Sequence, residues 1–338
     1  MNRDFLKSRL LKWEDFPEGL RRFALDPTGA SLELRELCPR VFLLAASKSG
    51  MNSTGFVVGE KGVLVIDAHI NNSMANQIQA AIRKVTSKPL LYLVNANYHG
   101  DHTFGNCAFP KETIVLQHRR TAEWVPFFEE EKAFLLSSVN HNPQIFDGVR
   151  LRLPDLIFDD YLQIDLGGIL VEVCFFGPVN SPGDTITYIP QARIAFTGNI
   201  SGGAMVLALE NDAGACLETL TRMVRTLAID LIVPSHSPPY QGTIQGLNYL
   251  ADLNNEVLKA IQSGWTLEEA RDRIRLKERF LPPEEIRGPF QYEDFHKYNV
   301  AKTYKAYGFQ VSGGDRGKAM RCIAESSNQE SSPWGKGV

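Results

Sequence analysis

No stretch of this chain reaches the ~20 consecutive apolar residues that a membrane-spanning helix needs. The opening, Met1-Asn2-Arg3-Asp4-Phe5-Leu6-Lys7, lacks the apolar run of a secretory signal. Cysteine is scarce: Cys38, Cys107, Cys174, Cys216 and Cys322 are odd in number and lack Cys-x-x-Cys spacing. A disulfide scaffold is thereby excluded, and the thiols are read as reduced and mostly buried. Neither sign of charge dominates, with 36 Lys+Arg against 39 Asp+Glu and a net charge of −3. Such a balance gives no electrostatic footing for nucleic acid or an acidic membrane. No tandem repeat is visible. These absences predict a soluble, cytoplasmic protein that meets a small-molecule substrate, with no nucleic-acid or membrane partner and a homodimer left open. The 338 residues suit one large α/β domain with terminal additions, and need no disulfide or metal for a core.

One stretch stands out from this ordinary composition. Leu90-Leu91-Tyr92-Leu93-Val94 is apolar and reads as a buried strand. It runs into Asn95-Ala96-Asn97-Tyr98-His99-Gly100-Asp101-His102, so two histidines and a carboxylate fall at a strand end. Gly105, Asn106 and Pro110 follow and read as loop. Imidazole nitrogen with carboxylate oxygen is a donor set for zinc, iron or manganese. Irregular backbone is expected here, because it can aim alternate side chains at one point.

His99-Gly100-Asp101-His102 resembles the His-x-His-x-Asp-His signature of the metallo-β-lactamase superfamily, with Asn97 standing where the first histidine would be. Further landmarks follow in order. Gly177-Pro178-Val179-Asn180-Ser181-Pro182-Gly183-Asp184 resembles Gly-x-x-His-Ser/Thr-x-Gly-Asp, with the histidine falling at Asn180. Phe196-Thr197-Gly198-Asn199 resembles Phe-x-Gly-Asp, with the bridging aspartate falling at Asn199. Pro234-Ser235-His236 resembles Pro-x-His, intact. The resemblance covers about residues 40–240 and implies a four-layer αββα sandwich.

It also implies a metal site, but a reduced one. In two-metal members one ion is held mainly by three histidines, which here would be Asn97, His99 and Asn180. Neutral amides bind transition metals poorly, so that ion is expected to be absent. The second set, Asp101, His102 and His236, is complete, and one zinc or iron ion is expected there. The one-zinc metallo-β-lactamases share the asparagine at the first position, although they use a cysteine where this chain has Asn199. The implied activity is hydrolysis of an ester, thioester, lactone or amide-type bond. The metal would polarise water or a carbonyl, and Asp101 or His99 would take a proton. Asn97, Asn180 and Asn199 would donate hydrogen bonds to substrate or oxyanion. Two histidines and a carboxylate are equally the set of mononuclear non-haem iron(II) oxygenases. A non-catalytic binding module is the third reading.

The rest of the chain is organised around that site. Residues 1–38 read as an N-terminal extension, 39–311 as the domain with its C-terminal helices, and 312–338 as a disordered tail. Strands are expected at 41–45, 55–59, 62–67, 113–116, 161–164, 169–176, 185–189, 193–197 and 231–234, and helices at 71–86 and 213–227. Asp67 is expected to hold the metal loop by hydrogen bonds, as the resemblance implies, with His69 packed behind the site, a place near the metal being the alternative, and His118 structural. Trp124, Phe127, Phe128, Phe134 and Leu135 read as helix core, with cavity wall as the alternative. Helical spacing returns after Gly242, Thr266 and Glu269 stand at capping-box spacing, and His296, Tyr298 and Asn299 ride a last helix.

Overall fold

Alternation along the strands decides the architecture. Val41 and Leu43 enter one buried cluster, while Phe42 and Leu44 enter another. Leu64 and Ile66 part from Val63 and Val65 in the same way. Successive strand side chains point to opposite faces, so a strand apolar at every position must be covered on both.

The computed structural model describes residues 25–281 and 292–312, with side chains through Tyr307. The expected tail and the first 24 residues of the expected extension lie outside the described residues. Seven strands lie side by side in chain order: β1 (Leu32–Cys38), β2 (Val41–Ala46), β3 (Thr54–Val58), β4 (Val63–Ile66), β5 (Leu90–Val94), β6 (Ile114–His118) and β7 (Leu156–Phe158). The first four are antiparallel, and β4 to β7 run parallel. The second sheet holds β8 (Tyr161–Asp165), β9 (Leu170–Cys174), β10 (Ile186–Ile189), β11 (Ile194–Gly198), β12 (Leu231–Pro234) and β13 (Tyr240–Gln241), in the order β13-β12-β11-β10-β9-β8. Leu43, Leu64, Ile66, Val94 and Leu116 of the first sheet share one core with Val171, Val173, Ile194, Phe196 and Val233 of the second.

Helices cover the outer faces. Met74, Ala75, Ile78, Ala81 and Ile82 of α1 (Asn72–Val85) are buried, and Asn71 caps the helix by accepting from Met74 N. Three others lie between β5 and β7, α2 (Gly100–Thr103), α3 (Arg119–Trp124) and α4 (Phe128–Leu135), and α5 (Ala213–Thr226) follows β11. With α6 (Leu247–Gln262), α7 (Leu267–Arg273) and α8 (Tyr292–Ser312), α5 packs on the second sheet through Leu220, Met223, Leu250, Val257 and Val300. The four layers are those the resemblance implies. The Thr266–Glu269 capping box is formed.

Two expectations are corrected here. Leu32–Cys38, assigned to the extension, is the edge strand of the first sheet. The segment after β5 is irregular over residues 95–99, as expected, but Gly100–Thr103 is a helical turn continued by a 3-10 turn, Phe104–Ala108, where loop was expected. Gly105 makes this possible, since a Cβ there would collide with the Ala68 carbonyl. The carboxyl ends of β4, β5, β11 and β12 gather at one end of the sandwich, carrying Asp67, Asn97, Asn199 and His236 just beyond them. That is where sheets of parallel strands present their ligand sites.

Candidate metal centre

Asp101 and His102 are neighbours on the α2 turn, where successive side chains diverge by about 100°. His102 closes the gap by reach. Its Nε2 lies 3.4 Å from Asp101 Oδ2, and His236 Nε2 lies 3.2 Å from the same oxygen. One ligand atom from each of Asp101, His102 and His236 falls within 4.8 Å of the other two. Asp101 Oδ2 is buried and accepts no well-aligned hydrogen bond. A buried carboxylate oxygen left without such a bond, between two imidazole nitrogens, fits a cation.

Both imidazoles are oriented from behind. Asp67, at a left-handed φ of 62°, accepts from Ala96 N through Oδ1 at 2.8 Å and meets His102 Nδ1 through Oδ2 at 2.7 Å. His236 Nδ1 meets the Gly50 carbonyl at 2.8 Å. A metal-binding histidine commonly gives its other nitrogen to a carboxylate or carbonyl, which fixes its tautomer. Asn52 adds a brace, donating from Nδ2 to the Asp101 carbonyl at 2.8 Å. Burial alone would lower the His102 pKa, but Asp67 and Asp101 outweigh it and raise it to about 9. Burial would raise Asp101, yet His102, His236 and His99 together hold it far below the usual carboxylate range.

The other expected site residues divide. His99 turns away from the cluster: its Nδ1 meets Glu131 Oε1 of α4 at 3.1 Å, and Gly100 N donates to the same oxygen at 3.2 Å. Burial opposes protonation of His99, but Glu131 prevails and its pKa is raised. Asn97 is fully buried; its Oδ1 accepts from His99 N at 2.9 Å, and its Nδ2 has no partner among the described residues. Asn180 donates from Nδ2 to the carbonyls of Leu207 and Ala208, at 3.0 and 3.1 Å, and accepts from Asn199 Nδ2 at 3.1 Å. Both amide hydrogens are spent on backbone, which corrects the expectation that Asn180 donates to a substrate. Asn199 also turns its Oδ1 to His102 Nε2, 3.0 Å away.

His69 packs behind the centre, completely buried, with a pKa that burial lowers to about 4. His118 caps α3 by accepting from Arg120 N and stacks on Phe175 at 3.9 Å, a structural part. A cavity of about 840 Å³ opens onto the centre, with His99, Asp101, Asn180, Asn199 and His236 in its wall. Most of the remaining wall is apolar, including Leu43, Met51, Phe134, Leu135, Met205 and Phe280. The aromatic stretch is therefore shared: Trp124 and Phe127 pack with Tyr98 in a buried cluster, while Phe134 and Leu135 face the cavity. Glu131, Asn52 and the Gly50 carbonyl escape sequence reading. Glu131 carries a faint signal as one of three consecutive glutamates beside the aromatics, but nothing local selects it.

Two facing mixed sheets between helical layers, with an Asp–His–His cluster beyond the strand ends, define an αββα protein equipped to hold a cation. Residues 49–236 match the family model of the metallo-beta-lactamase superfamily, and the chain belongs to that superfamily. Among curated proteins it is similar to a linear primary-alkylsulfatase from Pseudomonas sp. (strain ATCC 19151), 19% identical over 294 residues, which is 73% of this chain and 54% of the relative. It is also similar to the 2,4-dinitroanisole O-demethylase subunit alpha of Nocardioides sp. (strain JS1661), 23% identical over 55% of this chain and 53% of the relative. The chain thus spans about half the length of the curated relatives it matches. Among solved structures, the inverting sec-alkylsulfatase Pisa1 from Pseudomonas sp. superposes with a TM-score of 0.60 and 17% identity, over 88% of this chain and 57% of that one. The DIM-1 metallo-beta-lactamase gives 0.50 and 11%, over 65% of this chain and 94% of that one. At these identities the superpositions speak for the fold.

Proposed function

We propose that the protein is a hydrolase that uses one metal ion, zinc or iron, held by Asp101, His102 and His236, to cleave an ester-type bond in a small molecule with a sizeable apolar part. The observation that carries this reading is Asp101 Oδ2, buried without a well-aligned hydrogen bond, flanked by two imidazole nitrogens, on a residue in the wall of the cavity. A cation held there would supply Lewis-acid polarisation of the scissile group. The chain's own residues account for the rest. Asp67 and the Gly50 carbonyl hold the two imidazoles in register. His99, backed by Glu131, shares the cavity wall with Asp101 and serves to hold or pass a proton. Asn199 keeps one amide hydrogen beyond the one given to Asn180, and is the amide left in the wall for a developing oxyanion. The use of Asn180 and Asn199 on one another supports a single ion, since neither presents a charged or imidazole donor. The alkylsulfatase relatives support hydrolysis, and the apolar wall suits an alkyl or acyl body.

Protein purified without added metal, then assayed for metal and against carboxylic, thio- and sulfate esters, tests the reading. We expect one equivalent of zinc or iron and turnover of at least one ester class, both lost in His236→Ala. The same donor set suits an iron oxygenase, so bound iron with substrate-dependent oxygen uptake and no hydrolysis would replace the hydrolytic reading. Neither metal nor turnover would overturn both.

A further inference from the structure

Residues 206–209 form neither strand nor helix, so their carbonyls and amides need partners elsewhere. Two asparagines supply them. Asn299 of α8 donates from Nδ2 to Val206 O at 2.8 Å and accepts from Leu209 N at 3.0 Å. Asn180 donates to Leu207 O and Ala208 O, the two carbonyls between. Ala208 is held at a φ of 48°, a left-handed conformation that a residue with a side chain keeps only under constraint. Glu210 N then donates to Val179 O at 2.8 Å, tying the segment to the loop that carries Asn180. Met205, Leu207 and Ala208 belong to the cavity wall. Through Asn199 the Asn180 carboxamide is also linked to His102. The wall and the metal centre therefore hang on one hydrogen-bonded chain.

We propose that Asn180 is a specificity-determining residue: from the position of a superfamily metal ligand it pins segment 205–209 as a fixed wall of the cavity, and so sets which apolar substrate bodies fit. Its substrate arm rests on the hydrolytic reading; the pinning does not. A carboxamide that gives both hydrogens to backbone carbonyls has none for a substrate, so its influence is on shape.

The test compares the full-length holoprotein with Asn180→Ala and Asn180→Asp. Aspartate keeps the size of asparagine but cannot donate to carbonyls, which separates loss of the bonds from loss of volume. Hydrogen exchange of peptides covering 204–210 should accelerate about tenfold or more in both variants, while β4 and β5 stay protected and Asn180→Ala keeps its metal. Across p-nitrophenyl esters of rising acyl length, the ratio of kcat/KM for long over short chains should shift by about fivefold or more. A residue that only aids packing would lower every ester alike. Unchanged exchange in both variants, or a uniform loss across the series, overturns the proposal. Should the wild-type protein cleave no ester, the hydrolytic reading fails alone. Exchange, with the affinity of 8-anilinonaphthalene-1-sulfonate for the cavity, then decides the pinning: faster exchange with a changed affinity in both variants supports it, and unchanged exchange or unchanged affinity overturns it. If Asn180→Ala does not fold, Asn180→Asp carries the same comparison.

Discussion

A non-glycine residue in the left-handed region is uncommon and costs about 1 kcal/mol or more, and Asp67 sits there at a φ of 62°. What it gains is a carboxylate that holds Ala96 N with one oxygen and His102 Nδ1 with the other. In Asp67→Asn the amide nitrogen would face His102 Nδ1, donor against donor. The imidazole would then present Nδ1 as acceptor and carry its proton on Nε2, the atom that faces the cluster. Metal affinity should fall about 10- to 100-fold, as read by titration against a chromophoric chelator; an unchanged affinity would remove Asp67 from the site. A second residue governs pH rather than metal. His296 is buried, with Nε2 toward Ile274 O and Nδ1 toward Tyr249 OH, and burial lowers its pKa to about 4. The unfolded chain, with its histidine near ~6.5, therefore takes up the proton first. The contribution of the neutral ring is complete above about pH 6.5 and is lost as pH falls toward 4, up to about 3 kcal/mol. His296→Gln should flatten the urea-unfolding profile over that window, and a slope equal to that of the wild type would refute this. The candidate donor set was legible at this scale because donor type and spacing are local. The work of Asn180 was not, because its partners Leu207 and Ala208 lie 27 and 28 residues away. Glu131, 32 residues from His99, was hidden for the same reason.

Elements with local causes were readable, and elements defined by a neighbour were not. The apolar face of α1 and the Thr266–Glu269 box need only residues a turn apart. β1 mixes charge with leucine because it is a half-exposed edge, and only its pairing with β2 reveals it as a strand. β7 and β13, three and two residues long, carry too little pattern to notice. The turn after α2 owes its shape to a residue far along the chain. The guanidinium of Arg152 donates to the carbonyls of Asn106, Phe109, Pro110, Lys111 and Thr113, which gathers the backbone between the metal motif and β6. Arg152→Met keeps the aliphatic stem and removes every donor. It should cost roughly 2–4 kcal/mol, visible as a lower urea midpoint with an unchanged slope. A loss under about 0.5 kcal/mol, the range of an ordinary surface substitution, would show that these carbonyls find other partners.

For the whole molecule, the centre lies where ends of four strands from both sheets meet, so a cation bound there ties the two sheets together and binds only the folded chain. At a hundredfold excess over its dissociation constant, such a ligand stabilises by about 2.7 kcal/mol. Calorimetry of chelator-stripped protein should therefore show a melting temperature that rises with zinc or ferrous iron, and no rise in His236→Ala. An equal rise in that variant would place the stabilising cation elsewhere. The superfamily, the four layers and the candidate donor set Asp101, His102 and His236 were already written in motif order and strand periodicity, since each follows from residue chemistry at short range. The cavity wall, the pairing of His99 with Glu131 and the conversion of Asn180 from ligand position to clamp emerged only once distant segments packed. A side chain's type says what bonds it can form, whereas the partner that takes them is set by which remote backbone the closed fold brings within about 3 Å.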